Sequence, residues 1–211
     1  MNKAKVLAAA LGMVVMSTIS ATAAIIAPGS RVDINSVFGS GVTLVDSAGN
    51  PVAVNSPSSV ALDFNGAAPG LGSTGIQVGG APTGTFATLI TGPTLGVING
   101  FTFNPFPGGG VAPLYTLLAA GGINFDLTSI TSIDRTARGF ELNGTGIFRI
   151  SGYDNAPAEF SFTTQLASGG TGGNLSFSAN TVAVPEPATL ALFGTALLGL
   201  GLAGRARRKQ G

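Results

Sequence analysis

Between residues 25 and 184 apolar positions alternate with polar ones, β-branched residues and Phe recur, and turn formers interrupt the pattern. Period-two alternation sends successive side chains to opposite faces, which predicts half-buried strands. Residues 123–133 (INFDLTSITSI) predict one long strand. Residues 158–165 (AEFSFTTQ) and 174–179 (NLSFSA) predict two more, with Phe160/Phe162 and Leu175/Phe177 alternating around a loop at 168–173. Residues 42–46 and 51–54 flank the turn Ser47-Ala48-Gly49-Asn50. Within 94–103 (TLGVINGFTF), Asn99-Gly100 is a dipeptide favoured in two-residue hairpins. Within 138–151 (RGFELNGTGIFRIS), antiparallel pairing about Thr145 sets Phe140 against Ile150, Leu142 against Phe148 and Glu141 against Arg149. One face is then apolar and the other holds an opposite-charge pair. The stretch 66–84 predicts loop with one weak strand at 76–78, and 111–120 (VAPLYTLLAA) is the helix candidate. About nine or ten strands in this body predict an all-β fold, a single jelly-roll-like β-sandwich over 25–184.

Both ends break the alternation. Residues 6–16 (VLAAALGMVVM) are an uncharged run behind Lys3 and Lys5, followed by small and polar residues up to Ala24. The run is too short for a comfortable permanent span but suits a secretory signal core. Ala21-Thr22-Ala23 fits the small-x-small rule of signal peptidase, so residues 1–24 predict a signal peptide cut after Ala23 or Ala24. Residues 188–204 (ATLALFGTALLGLGLAG) carry no charge and predict a single transmembrane helix of about 25 Å. Pro185 and Pro187 lack amide protons and disfavour helix before them, so that helix should begin at or just after Pro187. Ala191, Thr195, Gly199 and Ala203 give it one face of small side chains that permits close helix packing.

Charge supplies the topology. The whole chain has a net charge of +1, yet six of its ten basic residues lie at the two ends: Lys3, Lys5, Arg205, Arg207, Arg208 and Lys209. The body between carries eight carboxylates against four arginines. Cations beside a span hold that end in the cytoplasm, so the body belongs on the far side of the membrane, as the signal peptide independently requires.

Val184-Pro185-Glu186-Pro187, a short Gly/Leu/Ala-rich span and a terminal Arg-Ala-Arg-Arg-Lys stand in that order. Together they resemble the PEP-CTERM sorting signal of Gram-negative bacteria. The resemblance implies recognition by an exosortase, a membrane protease-transpeptidase acting at or near Pro185, Glu186 and Pro187, with Arg205, Arg207, Arg208 and Lys209 as the stop-transfer. It implies an inner-membrane-anchored intermediate, then delivery of the body to the cell surface or an exopolysaccharide matrix. The latter half of the body, with Phe101-Thr102-Phe103-Asn104-Pro105, Gly144-Thr145-Gly146 and Phe162-Thr163-Thr164-Gln165, is similar to exported bodies that often precede this tail. The domain plan is therefore signal peptide 1–24, exported β body 25–184 and sorting signal 185–209.

Composition narrows the chemistry. With no Cys and no His, disulfides, Cys/His zinc sites and histidine-based nucleophilic triads are excluded. Two G-x-G-x-x-G matches, at 70–75 and 199–204, lack the strand-before, helix-after context of a dinucleotide site. Asn143-Gly144-Thr145 and Asn174-Leu175-Ser176 are formal sequons, the first expected in a turn. Asp126 and Glu141, expected on neighbouring strands, leave a carboxylate-only glycosidase formally open. Calcium-loop spacing is missing, and Asp154-Asn155 is the best single turn candidate. The sequence thus predicts a non-catalytic structural protein of the surface or matrix, with no cofactor, no metal and no nucleic-acid partner. Its partners are signal peptidase, an exosortase-type protease, the membrane and exopolysaccharide. A carbohydrate-binding or adhesive module of the same fold is the alternative, and the glycosidase ranks below both.

Overall fold

Alternation in the body does produce strands, eleven of them, in a computed structural model that describes residues 23–37, 41–64, 71–136, 139–165 and 176–184. They are β1 (Arg31–Ser36), β2 (Val42–Val45), β3 (Ala61–Phe64), β4 (Ser73–Gly79), β5 (Leu95–Asn99), β6 (Phe101–Thr102), β7 (Val111–Leu117), β8 (Ile123–Arg135), β9 (Gly139–Ile150), β10 (Ala156–Gln165) and β11 (Ser176–Ala183). A five-residue helix, α1 (Thr85–Leu89), lies between β4 and β5.

The all-β class holds, but the strands do not stack as a sandwich. Eight of them close on one another in the order β1-β11-β10-β9-β8-β7-β5-β4, each neighbour antiparallel, and β4 returns to β1. A separate three-stranded sheet, β2-β3-β6, lies off the barrel. Closure removes the exposed strand edges that a sandwich keeps. An eight-stranded barrel has an interior just wide enough for side chains to fill, and here aromatic rings fill it. Phe125 stacks on Tyr115 and Phe160 at 5.3 and 5.4 Å and meets Phe148 at 5.4 Å. At one end Phe86 of α1 packs on Phe148 at 4.6 Å. At the other, Phe64 of β3 meets Phe162 edge-on, and Arg135 lies over both Phe103 and Phe140 while donating to Ser59. Helix and small sheet thus stopper opposite mouths of the barrel.

Five local expectations change, four of them outside the β2 turn. The 138–151 segment is one continuous strand, β9, and not a hairpin about Thr145. Phe140, Leu142, Gly144, Gly146, Phe148 and Ile150 all face inward, a parity the hairpin would also have satisfied. Gly144 and Gly146 stay extended because β8 needs their space: a Cβ on Gly146 would enter the Phe125 ring, and one on Gly144 would press on Leu127. The Glu141–Arg149 pair does not form; Arg149 bonds Asp126 of β8, and Glu141 accepts from Asn143. Asn99-Gly100 does not turn a hairpin but hands the chain from the barrel (β5) to the small sheet (β6). A Cβ on Gly100 would lie within 3 Å of the Gly72 and Leu62 carbonyl oxygens and of Leu71 Cβ, so the crossing admits only glycine. The helix candidate at 111–120 is strand β7, its Leu114, Tyr115 and Leu117 buried in the barrel. Part of 66–84 is ordered as β4, wider than the weak strand expected at 76–78.

The expected strands at 42–46, 123–133 and 158–165 appear as β2, β8 and β10, and β10 pairs with β11; the strand expected at 51–54 does not form, where Pro51 makes one isolated bridge to Val45. The turn after β2 is fixed by Asp46, whose carboxylate accepts from the amides of Ala48 and Asn50 at 2.9 Å. Those bonds hold its pKa below the usual 3.8.

One interior polar contact crosses the barrel. Tyr115 of β7 donates its hydroxyl to Thr181 Oγ1 of β11 at 2.9 Å, both residues buried. Burial raises the phenol pKa well above its ordinary 10.0. The unfolded chain releases this proton from about pH 10 upward while the folded chain keeps it, so stability is present below that range and falls as pH climbs through it. Tyr115→Phe should therefore flatten the alkaline decline in melting temperature between about pH 9 and 12. At neutral pH it should cost about 1 kcal/mol through the orphaned Thr181. An unchanged alkaline limb would exclude Tyr115 as its source.

Candidate functional site: the two chain junctions

The ends of the folded body meet at one end of the barrel, where β1 begins and β11 finishes. Ala24 forms an isolated parallel bridge with Tyr153; its amide donates to Gly152 O at 2.9 Å and its carbonyl accepts from the Asp154 amide at 2.8 Å. Ile26 is buried in the core, anchoring the next turn. Ser30, wholly buried, then acts as a knot: its hydroxyl donates to Ala27 O and accepts from the Thr85 amide at 2.9 Å. Gly84, at φ +59°, lies so close to Ser30 that any side chain there would collide with it. The Gly29 amide donates to Ala183 O at 2.7 Å, and the Ala183 amide to Ser30 O at 2.9 Å. Val184 closes the pattern, its amide donating to Pro157 O at 2.9 Å. Ala24, Ala27, Gly29 and Ser30 at one junction, and Ala183 and Val184 at the other, are thus all hydrogen-bonded at this end of the barrel.

These anchors bear on the expected cleavage residues. Among the described residues Ala24 is the first that the structure shows hydrogen-bonded, and Ala23 precedes it. Cutting after Ala23 leaves the whole bridge to Gly152 and Asp154 in place, whereas cutting after Ala24 removes it. Ala21, Pro185, Glu186, Pro187, Arg205, Arg207, Arg208 and Lys209 lie outside the described residues, as does the expected span at 188–204. Among the described residues no helix is long and apolar enough to cross a membrane.

The remaining chemistry-bearing candidates are scattered. Asp126 stands opposite Ile147 and Glu141 opposite Asp134, which puts Asp126 and Glu141 about six residues apart along the ladder. That is on the order of 20 Å, against the roughly 5–9.5 Å between carboxylates of a glycosidase pair. Asp126 is moreover buried against Arg149. The first glycine motif runs into strand β4, and the Gly72 amide donates to Asp63 at 2.7 Å. Asn143 is mid-strand and not in a turn, its amide donating to Ser132 and Glu141; Asn174 lies outside the described residues. Asp154 and Asn155 sit in the β9–β10 turn beside Ala24. Far from the junctions, at the small sheet, a groove of about 450 Å³ is lined by Asp46, Asp63, Leu71, Thr102 and Asn104 among others. Sequence reasoning missed this groove, because its lining comes from β2, β3 and β6, segments whose adjacency no local pattern announces.

Residues 183–209 match the family model of the PEP-CTERM protein-sorting motif. The match starts on the last residue of β11 and reaches the end of the basic cluster. It implies that the protein is exported, passes through the membrane and is processed by an exosortase, a membrane protease. No curated protein and no solved structure shows significant similarity to the chain.

Proposed function

We propose that this chain is a structural protein of the cell surface or exopolysaccharide matrix, delivered through its sorting signal and without catalytic activity of its own. The observation that carries the reading is the sorting-motif match at 183–209, which begins on the last residue of β11. Ala24 and Val184 are both hydrogen-bonded to the barrel. Removal of the signal peptide after Ala23 and a cut at or near 185–187 both leave these bonds in place. Until that second cut, the apolar run at 188–204 tethers the body to the inner membrane, with Arg205, Arg207, Arg208 and Lys209 on the cytoplasmic side.

Intact-mass measurement of the protein recovered from exosortase-competent and exosortase-deficient cells tests this. The competent cells should yield a chain beginning at Ala24 and ending at or near Pro187. The deficient cells should retain the tail through Lys209 in the membrane fraction. A mature form that keeps residues 205–209 in competent cells would overturn the sorting reading.

A carbohydrate-binding role is the second reading, favoured by the groove at the small sheet. Asp63, Asp46, Thr102 and Asn104 bring polar groups there that could bond sugar hydroxyls. Binding of the host's own polysaccharide, lost in Asp46→Ala, would move the assignment from scaffold to lectin-like module.

A further inference from the structure

The two ends of the barrel differ in kind. The end holding the chain junctions is built from segments 24–30, 80–94, 118–122 and 151–155, where among the described residues Asp154 is the one charged side chain, and Arg31, which exchanges hydrogen bonds with Thr83 and pairs with Asp33, stands at its edge. The opposite end carries Asp46, Asp63, Asp134, Arg135 and Glu141. Four of the five exposed large apolar side chains among the described residues follow the same division, and the fifth, Leu71 (38% exposed), lines the groove at the small sheet. Ile25 (74% exposed) and Leu118 (75%) lie on the junction end, and Leu95 (55%) and Val97 (43%) lead up to it on the outside of β5. The Leu118 amide donates to Leu95 O at 2.8 Å, which makes those two neighbours.

Chain length fixes where this rim must sit. Only residues 185–187 separate Val184 from the apolar run that starts at Ala188. At no more than about 3.6 Å per residue, the Val184 and Ala188 Cα atoms stand at most about 14 Å apart. With the run seated in a bilayer, that reach holds the junction end of the barrel within the headgroup layer or directly above it. A rim with few charges and projecting aliphatic side chains is the surface chemistry suited to that layer, and the opposite end, with five charged side chains, is not.

We infer that the junction rim is a lipid-facing surface: in the tethered precursor Ile25, Leu95 and Leu118 rest in the bilayer interface, and the small sheet with its groove points away from the membrane. This rests on the tether reading given above. The occupant is the lipid surface and not the protease, because the reach of the linker applies to every tethered copy, whether or not an enzyme is bound.

The chain contains no cysteine, so single cysteines report cleanly. Ile25→Cys, Leu118→Cys, Ala48→Cys, Gly108→Cys and Leu197→Cys are introduced one at a time into the full precursor. Each is labelled with an environment-sensitive fluorophore and reconstituted into phosphatidylethanolamine/phosphatidylglycerol vesicles without exosortase, and near-UV circular dichroism verifies each fold. Nitroxide lipids should quench labels at 25 and 118 several-fold more than labels at 48 and 108. If 197 is quenched but 25 and 118 are no more quenched than 48 and 108, the rim assignment is overturned while the tether stands. If 197 itself escapes quenching, the tether reading falls, and the rim assignment with it. Quenching at 25 and 118 that is absent from lipid alone, with these sites cross-linking to added exosortase, would make the rim a protein-docking surface and overturn the lipid assignment.

Discussion

Phe125→Ala is expected to remove about 3–5 kcal/mol of folding free energy, as a truncated buried Phe does when its surroundings cannot collapse. Phe125 is fully buried and touches three other rings: Tyr115 from β7, Phe148 from β9 and Phe160 from β10. It therefore joins β8 to both hydrogen-bonded neighbours, β7 and β9, and beyond them to β10. Around Phe125 those strands are held in register by paired ladders, so the barrel wall cannot move in to fill the space. A domain's total stability is about 5–15 kcal/mol, so the loss should bring the variant close to the unfolding threshold. Denaturant titration gives the number. A loss under about 1 kcal/mol would mean that the aromatic column is not the source of the barrel's stability.

The converse change at the same spot should be nearly as damaging. Gly146→Ala places a methyl group where the Phe125 ring edge and the Asp126 carbonyl already stand. The ring cannot step aside without displacing Phe148 or Phe160, and the carbonyl belongs to the adjoining strand. Overpacking of this kind costs about 1–3 kcal/mol and sometimes more, and the backbone contact pushes the expectation to about 3. A double-mutant cycle separates the two contacts. On the Phe125→Ala background the ring clash disappears and only the carbonyl clash remains, so Gly146→Ala should cost less by about 0.5–3 kcal/mol. Strict additivity of the two substitutions would show that the ring is not what keeps position 146 a glycine.

Those two residues also show where sequence reasoning reached and where it stopped. The alternation in 138–151 correctly marks Phe140, Leu142, Phe148 and Ile150 as sharing one face. It cannot distinguish a hairpin about Thr145 from a straight strand, since both preserve the parity. The deciding facts lie on β8: Phe125 needs the hole left by Gly146, and Asp126 takes the Arg149 that the hairpin had assigned to Glu141. Asn99-Gly100 misleads for a related reason. Its backbone freedom is spent on a close crossing of Gly72 and Leu62 instead of a two-residue turn. In 111–120 the apolar residues fit a short helix locally, yet β5 and β8 offer that segment hydrogen bonds on both sides, and it becomes β7. The groove at the small sheet was invisible because residues 45–49, 60–63 and 102–105 meet only after β2, β3 and β6 pair.

The sequence by itself determined the β class, most strand positions, the acidic body between basic ends, and the sorting motif at 183–209. These are properties of adjacent residues: side-chain period, charge order and short linear signals. The tertiary structure was needed to show that the strands close into a barrel, that Phe rings fill it, and that Ala24 and Val184 are both hydrogen-bonded to the same end of it. It also set both junctions on one rim that carries few charges. Closure and rim depend on which distant strands share an edge, and that choice is made by the fit of rings, glycines and ion pairs between segments, which no local pattern encodes.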